Sequence, residues 1–233
     1  MAEELKIWTK RAKAEFDSVP ERQMSEEKFF RDPYRARIMD HKVVYSAADG
    51  VLLYIDRISA SGVIGIKGKY HKLSDIVQEE LTEKDYWVAG VFMTYYDPHV
   101  NRMPTEGLIN FRPFPPILTY NQPMLATENE LMKGLVNFNY SGYEIYNARM
   151  VNKIYCPVKE VNYYIVQVAD DEVNTITPFS VRQNDFFPQN ARFSAIRWGS
   201  QVDLIIPGKY VKPLLRAGVH VQAGVDALFE VLI

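Results

Sequence analysis

The chain has 233 residues, 47% hydrophobic and 24% charged, with a formal net charge of -2 and one cysteine; it is long enough for one large domain or two small ones with a substantial core. The near-zero charge supplies no basic field for nucleic acid, and the lone Cys156 can close no intramolecular disulfide and stands in no His/Cys pattern of zinc spacing. No uninterrupted run of about 18 apolar residues exists to span a bilayer, and the acidic start lacks the apolar stretch of a signal peptide, so the expected location is cytoplasmic.

Residues 3–17 carry Leu5, Trp8, Ala12 and Phe16 at three- to four-residue spacing, with Lys6, Lys10, Arg11 and Lys13 on the other faces. That pattern predicts an amphipathic helix. Its stripe suits docking on the parent domain better than lying on an anionic bilayer, although Trp8 and four cations also fit a peripheral membrane contact. A second helix is expected over 25–31, where Ser25-Glu-Glu-Lys reads as a helix start. From residue 42 short β-rich runs take over, at 43–45, 51–58, 62–67, 87–94, 108–111, 154–156, 163–168, 202–206 and 227–233, most of them bounded by Gly, Pro, Asn or Asp. Helix is expected only at 73–80 and in a turn near 128–132. The fold class is therefore mainly β (α+β), with antiparallel sheets in a barrel- or sandwich-like body behind short N-terminal helices. Residues 1–35 form the helical segment with the candidate membrane contact, and 36–233 form the main domain. The run Ala217-Gly-Val-His-Val-Gln-Ala-Gly224 resembles biotinyl- and lipoyl-type barrels but has no lysine at its turn. Prolines 113, 115 and 116 make 112–120 an irregular apolar loop, which either folds over the core or forms a lip at a pocket.

Three short segments carry residue types suited to chemistry. Ser46-Ala-Ala-Asp-Gly50 places Asp49 before a glycine between two strands. Val91-Phe-Met-Thr-Tyr-Tyr-Asp-Pro-His-Val-Asn-Arg102 places His99 on a loop at the end of an apolar strand, where catalytic groups are commonly presented. Trp198-Gly199-Ser200-Gln201 offers a Gly-Ser bond ahead of an apolar strand. Each alone is also an ordinary turn.

Together, in this order and spacing, these segments resemble the phosphatidylserine decarboxylase family from about residue 29 to the C-terminus. Phe29-Phe-Arg-Asp-Pro33 is similar to that family's segment ahead of the first active-site loop, Ser46-Ala-Ala-Asp-Gly50 to its Ser-Pro-Ala-Asp-Gly, and the stretch through His99-Val-Asn-Arg102 to its short-form histidine loop. Thr127-Glu-Asn-Glu130 resembles its Asn-Glu-Arg stretch, and Ile196-Arg-Trp-Gly-Ser-Gln-Val-Asp203 its cleavage site. The resemblance implies a triad of Asp49, His99 and Ser200 acting on the chain itself. His99 takes the Ser200 proton, Asp49 orients the ring, and the Ser200 hydroxyl attacks the Gly199 carbonyl. Elimination and loss of ammonia then leave a pyruvoyl group derived from Ser200, with no metal or external cofactor. That ketone condenses with a substrate amine as a Schiff base and accepts electrons as carbon dioxide leaves, with His99 returning the proton. The implied partner is an amine-bearing carboxylate, either a lipid headgroup or a small amino acid, and a homo-oligomeric state is left open.

Three departures from the family pattern stand out: Ala47 replaces its proline, Gln201 follows the serine, and Asp170, Asp171 and Glu172 stand where the family carries paired arginines. Acids there disfavour a phosphate-bearing substrate if they face the site. The competing readings are a decarboxylase of a soluble amino acid and an unprocessed barrel-like binding or scaffold protein.

Overall fold

The computed structural model describes residues 2–36, 38–66, 69–136, 142–172, 175–180, 182–197 and 200–232. In chain order these form β1 (Glu3–Glu4), α1 (Leu5–Phe16), α2 (Glu21–Gln23), a π-helical turn (Met24–Lys28), β2 (Val43–Tyr45), β3 (Gly50–Ser59), β4 (Val63–Ile66), β5 (Lys69–Lys72) and α3 (Leu73–Val77). There follow β6 (Asp85–Met93), β7 (Val100–Arg102), β8 (Gly107–Phe114), α4 (Leu125–Leu131), α5 (Tyr143–Tyr146), β9 (Arg149–Cys156) and β10 (Val161–Ala169). The last elements are β11 (Ile176–Pro178), β12 (Asp185–Phe187), β13 (Arg192–Ile196), β14 (Ser200–Pro207), β15 (Val211–Pro213), β16 (Val219–Val221) and β17 (Ala227–Val231).

Nine strands form one antiparallel sheet in the order β1-β16-β3-β6-β14-β10-β9-β8-β12, and two three-stranded sheets, β11-β13-β7 and β15-β17-β2, stand beside it. The large sheet is open at both ends, so the expected β-rich body is layered like a sandwich and does not close as a barrel. Alternation along each strand sends side chains to two cores. Val88 and Phe92 of β6 and Ile205 of β14 pack with Leu5, Trp8 and Phe16 of α1, together with side chains of α3, α4 and α5. Ala89, Val91 and Met93 with Leu204 face Phe193 of β13 and Phe229 of β17. Two glycines permit the close packing of β3 on β6. A Cβ at Gly90 would meet the Tyr54 ring at 2.3 Å, and one at Gly50, whose φ is +150°, would meet the Phe92 carbonyl oxygen at 2.1 Å.

The expected stripe of α1 is buried through Leu5, Trp8, Ala12 and Phe16, so the helix docks on the domain. Backbone pairing of β1 with β16 and a bond from Lys13 Nζ to the Met132 carbonyl (3.0 Å) fix it there. The second helix begins upstream of Ser25, because Pro20, with φ -56°, sets its entry, and the chain then widens into the π-helical turn. Residues 112–114, expected in an irregular loop, extend β8 and pair with β9 through Arg149–Val151. Pro113 is tolerated because β12 covers β8 only from Gly107 to Ile109, leaving the far stretch without a strand on that side. The Gln183 side chain stands in there, bonding the Phe111 N–H and carbonyl. Beyond the strand, Ile117, Leu118 and Tyr120 are exposed. Of the expected strands, Lys67 and Ile233 lie outside the described residues.

Candidate active site

The register of three neighbouring strands assembles the site. β3 begins at Gly50, directly after Asp49; β6 ends at Met93; β14 begins at Ser200. Gly50 lies against Phe92 and Met93, and Met93 pairs with Ser200, so these residues meet at one end of β3-β6-β14. The loop leaving β6 at this end carries Asp97 and His99, and the His99 carbonyl accepts the Ile196 N–H (3.1 Å), which holds it beside the strand that precedes Ser200. Gly199, the other half of the expected cleavage bond, and Trp198 lie outside the described residues.

The Asp49 turn is built from backbone contacts. Ser46 Oγ donates to the Ala48 carbonyl (2.7 Å), and the Arg102 N–H to the Ala47 carbonyl (2.8 Å). Asp49 is buried and receives both terminal nitrogens of Arg35, at 2.8 and 2.5 Å. Burial pushes its carboxyl pKa upward, against the pull of that guanidinium.

His99 is held differently from expectation. Its Nδ1 lies 2.8 Å from the Asp97 carbonyl oxygen, which can only accept, so Nδ1 carries the proton and Nε2 keeps its lone pair. Nε2 is buried without a hydrogen-bond partner among the described residues. Phe29 stacks on the ring, with centroids 4.0 Å apart and planes 28° apart. Burial lowers the pKa to about 4, outweighing the attraction of Asp97, so the imidazole is neutral near pH 7. Ser200 is fully buried, and among the described residues its Oγ meets the weak acceptor Sδ of Met93, at 3.3 Å. Asp49, His99 and Ser200 therefore share one end of the sheet, but the oxygens of Asp49 go to Arg35 while the ring of His99 is oriented by a backbone carbonyl.

Four residues that sequence reasoning passed over complete the site. Asp97 takes the Thr94 N–H and Oγ1 on Oδ2 and pairs through Oδ1 with His220 Nε2 at 2.7 Å. His220, on β16, stacks on Trp8 of α1 at 4.2 Å. Arg35 fixes Asp49, and Arg31 bonds the carbonyls of Lys28 and Tyr96. The available signals were two arginines flanking Asp32-Pro33 and a histidine among alternating valines, read as a fold cue alone. Glu128, in the quoted Thr127-Glu-Asn-Glu130, accepts the Tyr95 N–H at 2.7 Å and so anchors the His99 loop from α4.

A cavity of about 540 Å³ lies between α1, the segment from Arg31 to Ala36 and the Asp97 loop. Asp49, Asp97 and His220 line it, whereas His99 and Ser200 are buried outside its lining. The acidic stretch is close in register, since Ala169 pairs with Ser200, but it is turned to other uses. Asp170 accepts the Met124 N–H (2.7 Å), Asp171 and Glu172 are exposed, and none of the three lines the cavity. Among the described residues no cluster of three His, Cys, Asp or Glu side chains is arranged to hold a metal ion.

The family model described as phosphatidylserine decarboxylase matches residues 27–228. The phosphatidylserine decarboxylase proenzyme of Chlorobium limicola is 26% identical over 196 residues, covering 84% of this chain and 74% of its own. That of Beijerinckia indica subsp. indica is 28% identical over 204 residues, covering 87% and 72%, and that of Carboxydothermus hydrogenoformans 26% over 200 residues, covering 86% and 76%.

Proposed function

The chain belongs to the phosphatidylserine decarboxylase family, and from that premise we propose that it cuts itself between Gly199 and Ser200, keeps a pyruvoyl group at position 200, and decarboxylates phosphatidylserine. The observation that carries this reading is the neutral His99 whose buried Nε2 has no hydrogen-bond partner among the described residues, set at the same sheet end as a Ser200 hydroxyl that meets, among those residues, the weak acceptor Met93 Sδ. A general base needs a free lone pair at neutral pH, and a nucleophilic hydroxyl must not be tied up elsewhere. Both conditions hold, so the residues present fit the conversion of Ser200 to a carbonyl.

In this reading His99 Nε2 accepts the Ser200 proton as Oγ attacks the Gly199 carbonyl. The Asp97 carbonyl holds the ring in the required tautomer, and the Asp97 carboxylate, fixed by Thr94 and His220, holds the loop. Asp49, clamped by Arg35, keeps a carboxylate at the same end of the sheet. The pyruvoyl carbonyl supplies the electron sink for loss of carbon dioxide from a carbon that bears an amine. His99 is the group assigned to return a proton to that carbon. Exposed Ile117 and Tyr120 support contact with a lipid surface, a role the buried stripe of α1 cannot take.

Intact mass and denaturing electrophoresis test the reading. Wild type should yield fragments 1–199 and 200–233, the second with a blocked N-terminus, and Ser200→Ala should remain a single inactive chain of 26.9 kDa. Full decarboxylase activity in an uncut wild-type chain would refute it.

A further inference from the structure

The cavity beside the site carries a charged group, Arg31, to which the proposed self-cleavage gives no role. Its lining includes three arginines and three carboxylates, most of them engaged. Arg35 is charge-paired with Asp49 and also bonds the Ala223 carbonyl. Arg11 bonds Glu3 at 2.7 Å and lies 3.8 Å from Glu15. Asp97 is matched by His220 at 2.7 Å. Arg31 differs: among the described residues it has no carboxylate partner, and its guanidinium bonds the backbone carbonyls of Lys28 and Tyr96, both at 2.5 Å. The guanidinium lies over the Phe16 ring of α1, 4.9 Å from its centroid, so helix and loop hold it in one place. Five N–H donors belong to a guanidinium, and two carbonyls leave several for a ligand. Burial pushes its pKa down, and the more distant Asp97, Asp49 and Glu15 do not reverse that cost; an anion in contact would.

We propose that this cavity binds the phosphate group of the substrate, with Arg31 as its ligand and α1 as the wall that positions it. The proposal rests on the decarboxylase reading for the identity of the substrate, but not for the existence of the anion site. An arginine fork presents parallel donors to a phosphate oxygen pair, geometry that a lysine does not reproduce. The volume falls in the range of roughly 300–1,000 Å³ typical of small-molecule sites, enough for a polar headgroup. Part of the wall, residues Trp8, Arg11 and Phe16, lies ahead of the stretch matched to the family, 27–228, so α1 brings to this site side chains from outside that stretch.

Calorimetric titration of the purified full chain with glycerophosphoethanolamine, O-phosphoserine and ethanolamine tests the assignment. Arg31→Gln should weaken the phosphate-bearing probes by roughly tenfold to a hundredfold and leave ethanolamine unchanged, and Arg31→Lys should fall between. Tighter binding of glycerophosphoethanolamine assigns the phosphate to a lipid headgroup, and tighter binding of O-phosphoserine to a soluble phosphomonoester; either outcome supports the site. Equal affinity of wild type and Arg31→Gln for both phosphate probes would overturn it. Should Arg31→Gln fail to fold, inorganic phosphate must still compete with glycerophosphoethanolamine on the wild-type chain, and absence of competition overturns the proposal too. Intact mass on the same samples reports processing separately, so an uncut chain that binds the probes sinks only the decarboxylase reading.

Discussion

At the scale of single residues, two buried ionisable groups near Ser200 are shifted in opposite directions. The pKa of His99 falls from 6.5 to about 4, so between those values the folded chain binds fewer protons than the unfolded one. Its contribution to stability is complete above pH 6.5 and is lost as pH falls toward 4. Asp203 is raised from 3.8 to about 7, by burial first and then by Glu144, so its contribution is complete below pH 3.8 and is lost as pH rises through 7. Each is worth about 3–4 kcal/mol, and in the wild type the two slopes should largely cancel. Measured against the wild type, urea midpoints across pH 4–7 should fall toward acid for Asp203→Asn and toward neutral pH for His99→Gln. Slopes of the same sign in both variants would show that the shifts are misassigned. The acid limb of self-cleavage, followed in freshly translated chain, is expected near pH 4 and not near 6.5, and His99→Ala should leave the chain uncut at every pH.

At the scale of elements, α1 links fold and site, because Trp8 packs on His220 and Phe16 underlies Arg31. Trp8→Ala should cost about 3–5 kcal/mol, measured by denaturant unfolding. The start of β3 is more sensitive: in Gly50→Ala the new methyl must occupy a point 2.1 Å from the Phe92 carbonyl. That variant should give little soluble protein, as recovery after expression would show. Elements with strong period were legible in the sequence, including the stripe of α1 and the apolar runs of β3, β6, β10 and β14. Short strands such as β7, β12 and β16 were not, since three residues carry almost no period and exist only through partners distant in sequence. The extension of β8 through Pro113 was hidden for a related reason: whether a proline fits depends on which strand edge is free.

At the scale of the whole molecule, the described residues after the cut, 200–232, are woven through the body. β14 lies between β6 and β10, β16 between β1 and β3, and β17 between β15 and β2. Cutting ahead of Ser200 removes no ladder that the described strands make. The two fragments should therefore co-elute as one species of uncut size in size-exclusion chromatography and separate only in denaturant. Fragments that part in native buffer would mean that the sheet order is wrong.

The sequence by itself determined the β-rich class, the apolar stripe of α1 and the three segments that carry Asp49, His99 and Ser200, because residue type and local spacing are properties of the chain. Only the tertiary structure decided which group each of them touches. That Asp49 meets Arg35, that His99 is oriented by the Asp97 carbonyl, and that His220 closes on Asp97 across 123 positions all depend on strand register and helix docking, which bring together residues that no local pattern relates.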